Sequence, residues 1–108
     1  MKKVTYFNKN LSTIAAISDI HSNVFALEAV LADIQHRNVD QIVNLGDILY
    51  GPIAPKATYD LLMTHQNKIV TIRGNQDRQI YEATEADIAD NLTLDFIVKD
   101  LPKDAIEW

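Results

Sequence analysis

Three short polar motifs in this sequence carry side chains of the types that bind divalent metal ions. The first is Asp19-Ile20-His21, an Asp-x-His pair. In an extended segment, residues two apart point to the same side, so one carboxylate oxygen and one imidazole nitrogen could reach the same ion. This donor pair suits borderline metals such as Mn, Fe, Zn and Co. In isolation, the motif favours another interpretation, a helix-capping Asp19 beside a surface His21.

The second and third motifs each place a glycine directly before a possible oxygen ligand. In Gly46-Asp47, the glycine lets the backbone turn tightly, and the two carboxylate oxygens that follow can bridge two cations. In Arg73-Gly74-Asn75-Gln76-Asp77, the amide oxygen of Asn75 is a neutral ligand. The alternatives are a plain Gly-Asp turn in one case and, in the other, turn chemistry at Asn75 with Asp77 capping the next helix.

The apolar pattern around these motifs alternates between strands and helices. Short apolar runs predict strands over residues 14–17, 41–45 and 68–72, and helical spacing predicts helices over residues 23–37 and 57–66. Buried strands that alternate with amphipathic helices indicate a parallel sheet with right-handed crossovers. The predicted fold class is therefore α/β with a parallel β-α-β-α-β core.

The remaining segments lie at the two ends of this core. Residues 1–10 are interpreted as an N-terminal extension, and the chain from about Asp77 onward is predicted to be helical with a break near Pro102. No internal repeat, low-complexity tract or interdomain linker is apparent. The sequence of residues 1–108 is accordingly treated as a single domain.

The three motifs share one structural position, because each follows the carboxyl end of a predicted strand. In open parallel sheets, ligands bind beyond the carboxyl ends of the strands. Asp19 with His21, then Asp47, and then Asn75 would therefore line one edge of one sheet. Their order and placement favour a metal site over three unrelated turns.

Composition restricts the classes of site and partner. The chain has no cysteine, so any metal must be held by His, Asp, Glu or Asn side chains. The formal net charge of −5 argues against a general nucleic-acid or membrane-surface binder. No apolar run approaches the ~20 residues needed to span a bilayer, and the N-terminus has no stretch of signal-peptide type. We therefore expect a cytoplasmic protein.

The motif segments resemble a known family. Ser18–Asn23, Leu45–Asp47 and Arg73–Asp77 are similar to the first three motifs of calcineurin-like metallophosphoesterases, and the resemblance continues more weakly to Trp108. Ala26–Leu31 is similar to the first helix of the bacterial and archaeal branch, which includes small phosphodiesterases and dinucleoside-polyphosphate hydrolases. The resemblance implies that residues 1–108 form the N-terminal part of that family's four-layer α/β-β/α sandwich.

The same resemblance implies residue roles and a reaction. Asp19 and His21 would bind the first of two divalent ions, Asp47 would bridge both ions, and Asn75 would bind the second. Asn75, Gln76 and Asp77 would form the catalytic segment. The implied function is metal-dependent hydrolysis of a small phosphate mono- or diester by a metal-bridging hydroxide.

Two departures from the family pattern are visible. Gln76 stands where the family usually has a histidine that stabilises or protonates the leaving oxygen, and an amide can donate a hydrogen bond but cannot transfer a proton. The family's later histidine motifs have no counterpart here, so the second metal site is expected to be incomplete. The other histidines, His36 and His65, are predicted to be solvated helix residues.

Three further residues lie near the predicted site. Tyr50, Arg73 and Arg78 could touch a phosphate group. The structural alternatives are loop packing for Tyr50 and surface ion pairs for the two arginines.

Two other functional interpretations remain open, a non-catalytic binding module and a structural remnant of the fold.

The three predicted strands are apolar on both faces, as strands covered on both sides are. The two helices between them cover one face, and residues 92–98 are available to cover the other in part. We therefore expect a homodimer that covers the rest.

Overall fold

A computed structural model describes residues 13–108 and contains three strands and six helices in that range. The predicted N-terminal extension, residues 1–10, lies outside the described residues. The elements are β1 (Ile14–Ile17), α1 (Val24–Gln35), β2 (Gln41–Asn44), α2 (Pro55–Thr64), β3 (Ile69–Thr71), α3 (Asn75–Tyr81), α4 (Glu85–Asp90), α5 (Leu92–Asp100) and α6 (Lys103–Glu107). No helix among these is long and apolar enough to cross a membrane.

The strands form one parallel sheet in the order β1-β2-β3. Ile14 pairs with Gln41, and Ile42 pairs with Ile69, so successive strands start at the same level. Parallel neighbours require a crossover, and α1 and α2 supply it. The predicted parallel β-α-β-α-β core is thus confirmed.

The start of each of the first two helices is explained by the residue found there, Asn23 for α1 and Pro55 for α2. The side chain of Asn23 accepts a hydrogen bond from the amide of Ala26 (3.0 Å) and caps α1. α2 begins at Pro55, two residues before the predicted start. The proline lies in the first turn of the helix, because its fixed φ and missing N–H suit that position.

The C-terminal third is helical and breaks at Pro102, as predicted, but it also breaks twice more. Thr84 caps α4 by accepting a hydrogen bond from the amide of Asp87, and Asn91 caps α5 by accepting one from the amide of Leu94. Thr and Asn favour such caps because their side chains satisfy amides that the first helical turn leaves free. The result is four short helices that turn back on one another.

The core lies between one face of the sheet and the helices. Ile17 of β1 and Ile69 of β3 are buried there with Leu27 of α1, Leu62 of α2 and Ile97 of α5. Each such side chain contributes about 1.5–3 kcal/mol when fully buried. Because α5 packs against α2 and α3, the C-terminal helices extend the layer that α1 and α2 begin.

The opposite face of the sheet is open within residues 13–108. Ile14, Leu45, Val70 and Ile72 point to this side and are 50, 48, 48 and 56% exposed. The expectation that α1 and α2 cover only one face is confirmed. Residues 92–98 do not cover the other face, because Leu94 and Ile97 are buried on the helical side. We call these four exposed residues the open sheet face.

Candidate metal centre

The loops beyond the strands have unusual backbone conformations. Among the described residues, five that are not glycine have positive φ, and four of these lie at the carboxyl edge of the sheet. They are Asp19 (58°), His21 (49°), Ser22 (59°) and Asp47 (58°). Each such residue costs of order 1–3 kcal/mol and persists only where its surroundings enforce it. Strain of this kind clusters at functional sites, and here it coincides with the predicted ligands.

Hydrogen bonds between loops enforce these conformations. The amides of Asp19 and His21 donate to the carbonyl oxygens of Gly46 (3.0 Å) and Asp47 (3.1 Å), and the amide of Ser22 donates to that of Ile48 (2.8 Å). These bonds continue the contact between the first two strands beyond the sheet itself. They fix the Asp-x-His segment beside the Gly-Asp loop.

This contact brings three predicted ligands together. Asp19, His21 and Asp47 each offer one ligand atom, and the three atoms all lie within 4.8 Å of one another. Nε2 of His21 lies 3.4 Å from Oδ1 of Asp19. Two carboxylates and one imidazole are a donor set that suits Mn, Fe, Zn or Co, so these side chains fit a divalent cation.

Neighbouring groups orient two of these side chains. Nδ1 of His21 lies 3.2 Å from the carbonyl oxygen of Tyr50, and a hydrogen bond there requires the proton on Nδ1. The lone pair of Nε2 is then free for a metal. The hydroxyl of Ser18 donates to Oδ2 of Asp19 (2.7 Å), which fixes the carboxylate with Oδ1 towards His21. Such supporting bonds are typical of metal sites.

The third motif reaches the site through its backbone. The amide of Gln76 donates to Oδ1 of Asp47 at 3.1 Å. A side chain at Gly74 would overlap the amide and the carboxylate of Asp47, so this loop packs directly on that residue. Asn75 lies between these two contacts as the first residue of α3. The Gly-Asn loop therefore adjoins the cluster of Asp19, His21 and Asp47.

Asp77 has different partners from the other predicted site residues. Its carboxylate accepts hydrogen bonds from the amides of Gly74 (2.8 Å), Asp47 (2.7 Å) and Ile48 (2.7 Å). The bond from Gly74 makes it a cap of α3, as the alternative interpretation of this motif stated. The bonds from Asp47 and Ile48 come from a different loop.

All three glycines of the chain lie in these loops. Gly46 has a φ of 106°, and a side chain there would overlap the backbone of Gly74. A side chain at Gly51 would overlap the carbonyl group of His21 and the hydroxyl of Ser22. The glycines therefore allow three loops to approach within van der Waals contact of one another.

The sequence motifs did not identify Gly51 or Ser22 as residues that contact the predicted ligand loops. Ser22 is fully buried, and its hydroxyl oxygen accepts a hydrogen bond from the amide of Ile53 (3.1 Å). The signal available in the sequence was Gly51-Pro52, which follows Gly46-Asp47 within five residues. It indicated a turn but not that the turn contacts the Asp-x-His segment.

The other nearby polar residues mainly have protein partners. The Tyr50 hydroxyl accepts a hydrogen bond from Nδ2 of Asn91 (2.9 Å), and Nε of Arg78 lies 3.5 Å from the Glu82 carboxylate. The guanidinium of Arg73 lies over the ring of Tyr81, 4.8 Å from its centre. The structural alternatives hold for Tyr50 and Arg78, whereas Arg73 forms a cation–π contact instead of an ion pair.

The two remaining histidines lie away from the cluster. His36 follows α1 and His65 follows α2 as their C-terminal caps. These helix ends precede β2 and β3, so they lie at the amino edge of the sheet. The metal cluster lies at the carboxyl edge.

Comparisons with known proteins agree with this geometry. Residues 12–105 match the family described as calcineurin-like phosphoesterase. A Methanocaldococcus jannaschii protein described as "Uncharacterized protein MJ0912" is 42% identical over 66 residues. The crystal structure of a metallophosphoesterase from Sphaerobacter thermophilus superposes with a TM-score of 0.69 at 27% sequence identity.

The matched regions cover most of this chain but a smaller part of each relative. The alignment with the Methanocaldococcus protein takes in 61% of this chain and 26% of that protein. The superposition takes in 91% of this chain and 40% of the Sphaerobacter chain. The family match spans nearly all described residues and includes every motif of the metal cluster. The chain belongs to the calcineurin-like phosphoesterase family.

Proposed function

We propose that this chain forms the metal-binding portion of an enzyme that hydrolyses phosphate esters at a dinuclear centre. The observation that carries the proposal is the cluster of Asp19, His21 and Asp47, whose ligand atoms lie within 4.8 Å of one another. The cluster sits beyond the carboxyl ends of parallel strands, where such folds bind ligands. All three of its residues have positive φ, a cost that a plain turn would not need to bear.

In this proposal the ligands divide between two cations. Asp19 and His21 would hold the first ion, Asn75 would hold the second, and Asp47 would contribute to both. When bound, divalent cations supply Lewis acidity towards the phosphoryl oxygens of the ester. The protein's part is to fix the ligands before substrate arrives, and the bonds from Ser18 to Asp19 and from His21 to Tyr50 support that role.

The second ion would be held less firmly than the first. Among residues 13–108, Asp47 and Asn75 are the two side chains that we assign to it. Asn75 contributes a neutral oxygen, whereas the first ion has two carboxylates and an imidazole. We infer that the 108-residue chain binds one cation firmly and a second weakly.

Gln76 limits the chemistry that the chain can perform at the leaving group. Its side-chain amide can donate a hydrogen bond to the leaving oxygen but has no proton to transfer. We propose that esters with acidic leaving groups, such as nitrophenols, are hydrolysed faster than alkyl esters. Small phosphate mono- and diesters are the substrate class, since the open edge of the sheet is reached from solvent.

The test combines metal binding with turnover. Protein purified without chelators is analysed for bound metals, stripped, and titrated calorimetrically with Mn²⁺, and hydrolysis of bis-nitrophenyl phosphate is then measured. We expect one tight site per chain. Absence of Mn²⁺, Fe, Zn and Co binding would refute the metal centre. Tight binding without hydrolysis at any metal concentration would favour the non-catalytic binding module, for which Gln76 is the supporting observation.

We also propose that the chain forms a homodimer through the open sheet face. The support is the exposure of four large apolar side chains on one side of a three-stranded sheet. An apolar patch of roughly several hundred Å² marks an interaction surface more often than free surface. A second copy would bring an identical apolar face, and two such sheets pack face to face at about 10 Å.

A further inference from the structure

The carboxylate of Asp77 binds only backbone amides in the contacts observed. Oδ2 accepts from the amides of Asp47 (2.7 Å) and Gly74 (2.8 Å), and Oδ1 accepts from the amide of Ile48 (2.7 Å). All three distances are typical of charge-assisted hydrogen bonds, which are about twice as strong as neutral ones. Both oxygens are thereby engaged in holding backbone.

These bonds join two loops that carry different proposed ligands. Asp47 and Ile48 follow β2, whereas Gly74 and Asp77 follow β3. The connection is reciprocal, because Oδ1 of Asp47 accepts from the amide of Gln76 at 3.1 Å. Each loop therefore presents a carboxylate to the backbone of the other.

Asp77 binds the backbone of Asp47, which has an uncommon conformation. Asp47 has a φ of 58°, a left-handed conformation that is uncommon for residues other than glycine, although aspartate adopts it more readily than most. Its amide donates to Asp77, and its carbonyl oxygen accepts from the amide of His21. The direction of the Asp47 side chain depends on this backbone conformation.

We propose that Asp77 is a positioning residue for the metal centre. Asp77 fixes the backbone at Asp47 so that the Asp47 carboxylate faces the proposed cation site. The inference rests on the proposed function for the identity of the ions, but the positioning of the loop is independent of it. Asp77 then acts through Asp47 and neither binds the metal nor transfers a proton. This role differs from the catalytic one that the family resemblance implies.

The substitution Asp77→Asn tests the proposal. Asparagine keeps the shape of aspartate but offers one acceptor oxygen, and its NH₂ group would face an amide N–H. We expect Mn²⁺ affinity to fall about 10- to 100-fold, as is common when a ligand's support is removed, with the same number of ions bound at saturation. Circular dichroism and thermal unfolding report whether the variant is folded.

Asp87→Asn is the matched control. Asp87 occupies the same position in α4 that Asp77 occupies in α3, and it accepts a hydrogen bond from the amide of Thr84 at 3.0 Å. The hydrogen bond from the Thr84 amide is the main cause that lowers the pKa of Asp87, and a hydrogen bond with the Thr84 side chain lowers it further. The control removes a helix-capping carboxylate outside the metal cluster, so we expect unchanged Mn²⁺ affinity.

Hydrogen exchange of the metal-free protein separates this proposal from the proposed function. In Asp77→Asn, the amides of Asp47 and Ile48 should exchange at least about tenfold faster than in the unaltered chain, and Asp87→Asn should leave them unchanged. If the unaltered chain binds no metal, the proposed function fails, and the exchange rates alone decide the role of Asp77.

Two results would overturn the proposal. One is a folded Asp77→Asn protein with the Mn²⁺ affinity of the control and unchanged amide exchange. The other is complete loss of one ion with the amides still protected, which would make Asp77 a ligand. If Asp77→Asn does not fold, amide exchange in the unaltered chain tests the proposal instead. Exchange of the Asp47, Ile48 and Gly74 amides at the rate of an unstructured peptide would refute the proposal, and slow exchange would support it.

Discussion

At the scale of single residues, Asp47 connects the two loops on which the metal centre depends. Its carboxylate lies within ligand distance of Asp19 and His21, and the same carboxylate contacts the loop that carries Asn75. We expect Asp47→Asn to abolish detectable Mn²⁺ binding, because it removes the charge that both cations share. Calorimetry measures this directly. Asp33→Asn is the control, since Asp33 pairs with Arg37 on exposed α1. An unchanged affinity in Asp47→Asn would contradict the site assignment.

Gln76 poses a separate question, whether the lack of a proton donor at this position or the weak second metal site that we propose limits turnover. We expect Gln76→His to leave hydrolysis of bis-nitrophenyl phosphate by the 108-residue chain within about tenfold of the parent rate. The reason is that general acid catalysis contributes about 10²–10⁴-fold only where the reacting group is already positioned. A rise of a hundredfold or more would show that the acid, and not the second metal site, was limiting.

At the scale of elements, the junction between α4 and α5 is connected to His21 through Tyr50. Asn91 caps α5 and donates to the hydroxyl of Tyr50, and the carbonyl oxygen of Tyr50 contacts Nδ1 of His21. We expect Asn91→Ala to destabilise the protein by about 1–2 kcal/mol, as loss of a cap does, and also to weaken Mn²⁺ binding severalfold. Chemical denaturation and calorimetry measure the two effects.

Thr84→Ala provides the comparison for that prediction. Thr84 caps α4 through the amide of Asp87. Its loss should cost a similar ~1 kcal/mol without any change in Mn²⁺ affinity. Equal metal affinities in the two variants would show that the contact between Asn91 and Tyr50 supports only the helix junction.

At the scale of the whole molecule, the open sheet face is the feature on which we base the expected association of two chains. At ~25 cal/mol per Å², covering a few hundred Å² of apolar surface contributes several kcal/mol towards association. We expect sedimentation at micromolar concentration to show a homodimer. Ile72→Lys should shift the chain to monomer, because it places a charge on the open sheet face. Phe25→Lys, on α1 at 70% exposure, should leave the dimer intact.

A clean monomer that also fails to bind a hydrophobic dye would contradict this expectation. Such a result would mean that the chain covers the face itself. Dye binding by a monomer would instead show that the face is exposed. That result would refute only the prediction of a dimer. The two measurements therefore separate coverage of the face from pairing of two copies.

The sequence alone determined the three strands, the two helices between them and the types of the candidate ligands. The apolar runs around Ile17, Val43 and Val70 and the helical spacing after Asn23 are local patterns, and periodicity is a local property of the chain. The position of Asp19, Asp47 and Asn75 at strand ends follows from the same reading, because a parallel sheet aligns its carboxyl ends. A group of possible metal ligands at this edge of the sheet was therefore predictable without coordinates.

Tertiary structure decided what holds the ligands and where the C-terminal helices lie. Asp77 and Asp47 are 30 residues apart, and Asn91 and Tyr50 are 41 apart, so no local pattern links either pair. Asp77 could be assigned from sequence to helix capping or to catalysis, and only its contacts with a second loop distinguish a third role. Likewise, α5 has one apolar side that would suit either face of the sheet. Packing against α2 and α3 selected the helical side, because burial depends on neighbours that sequence periodicity does not specify.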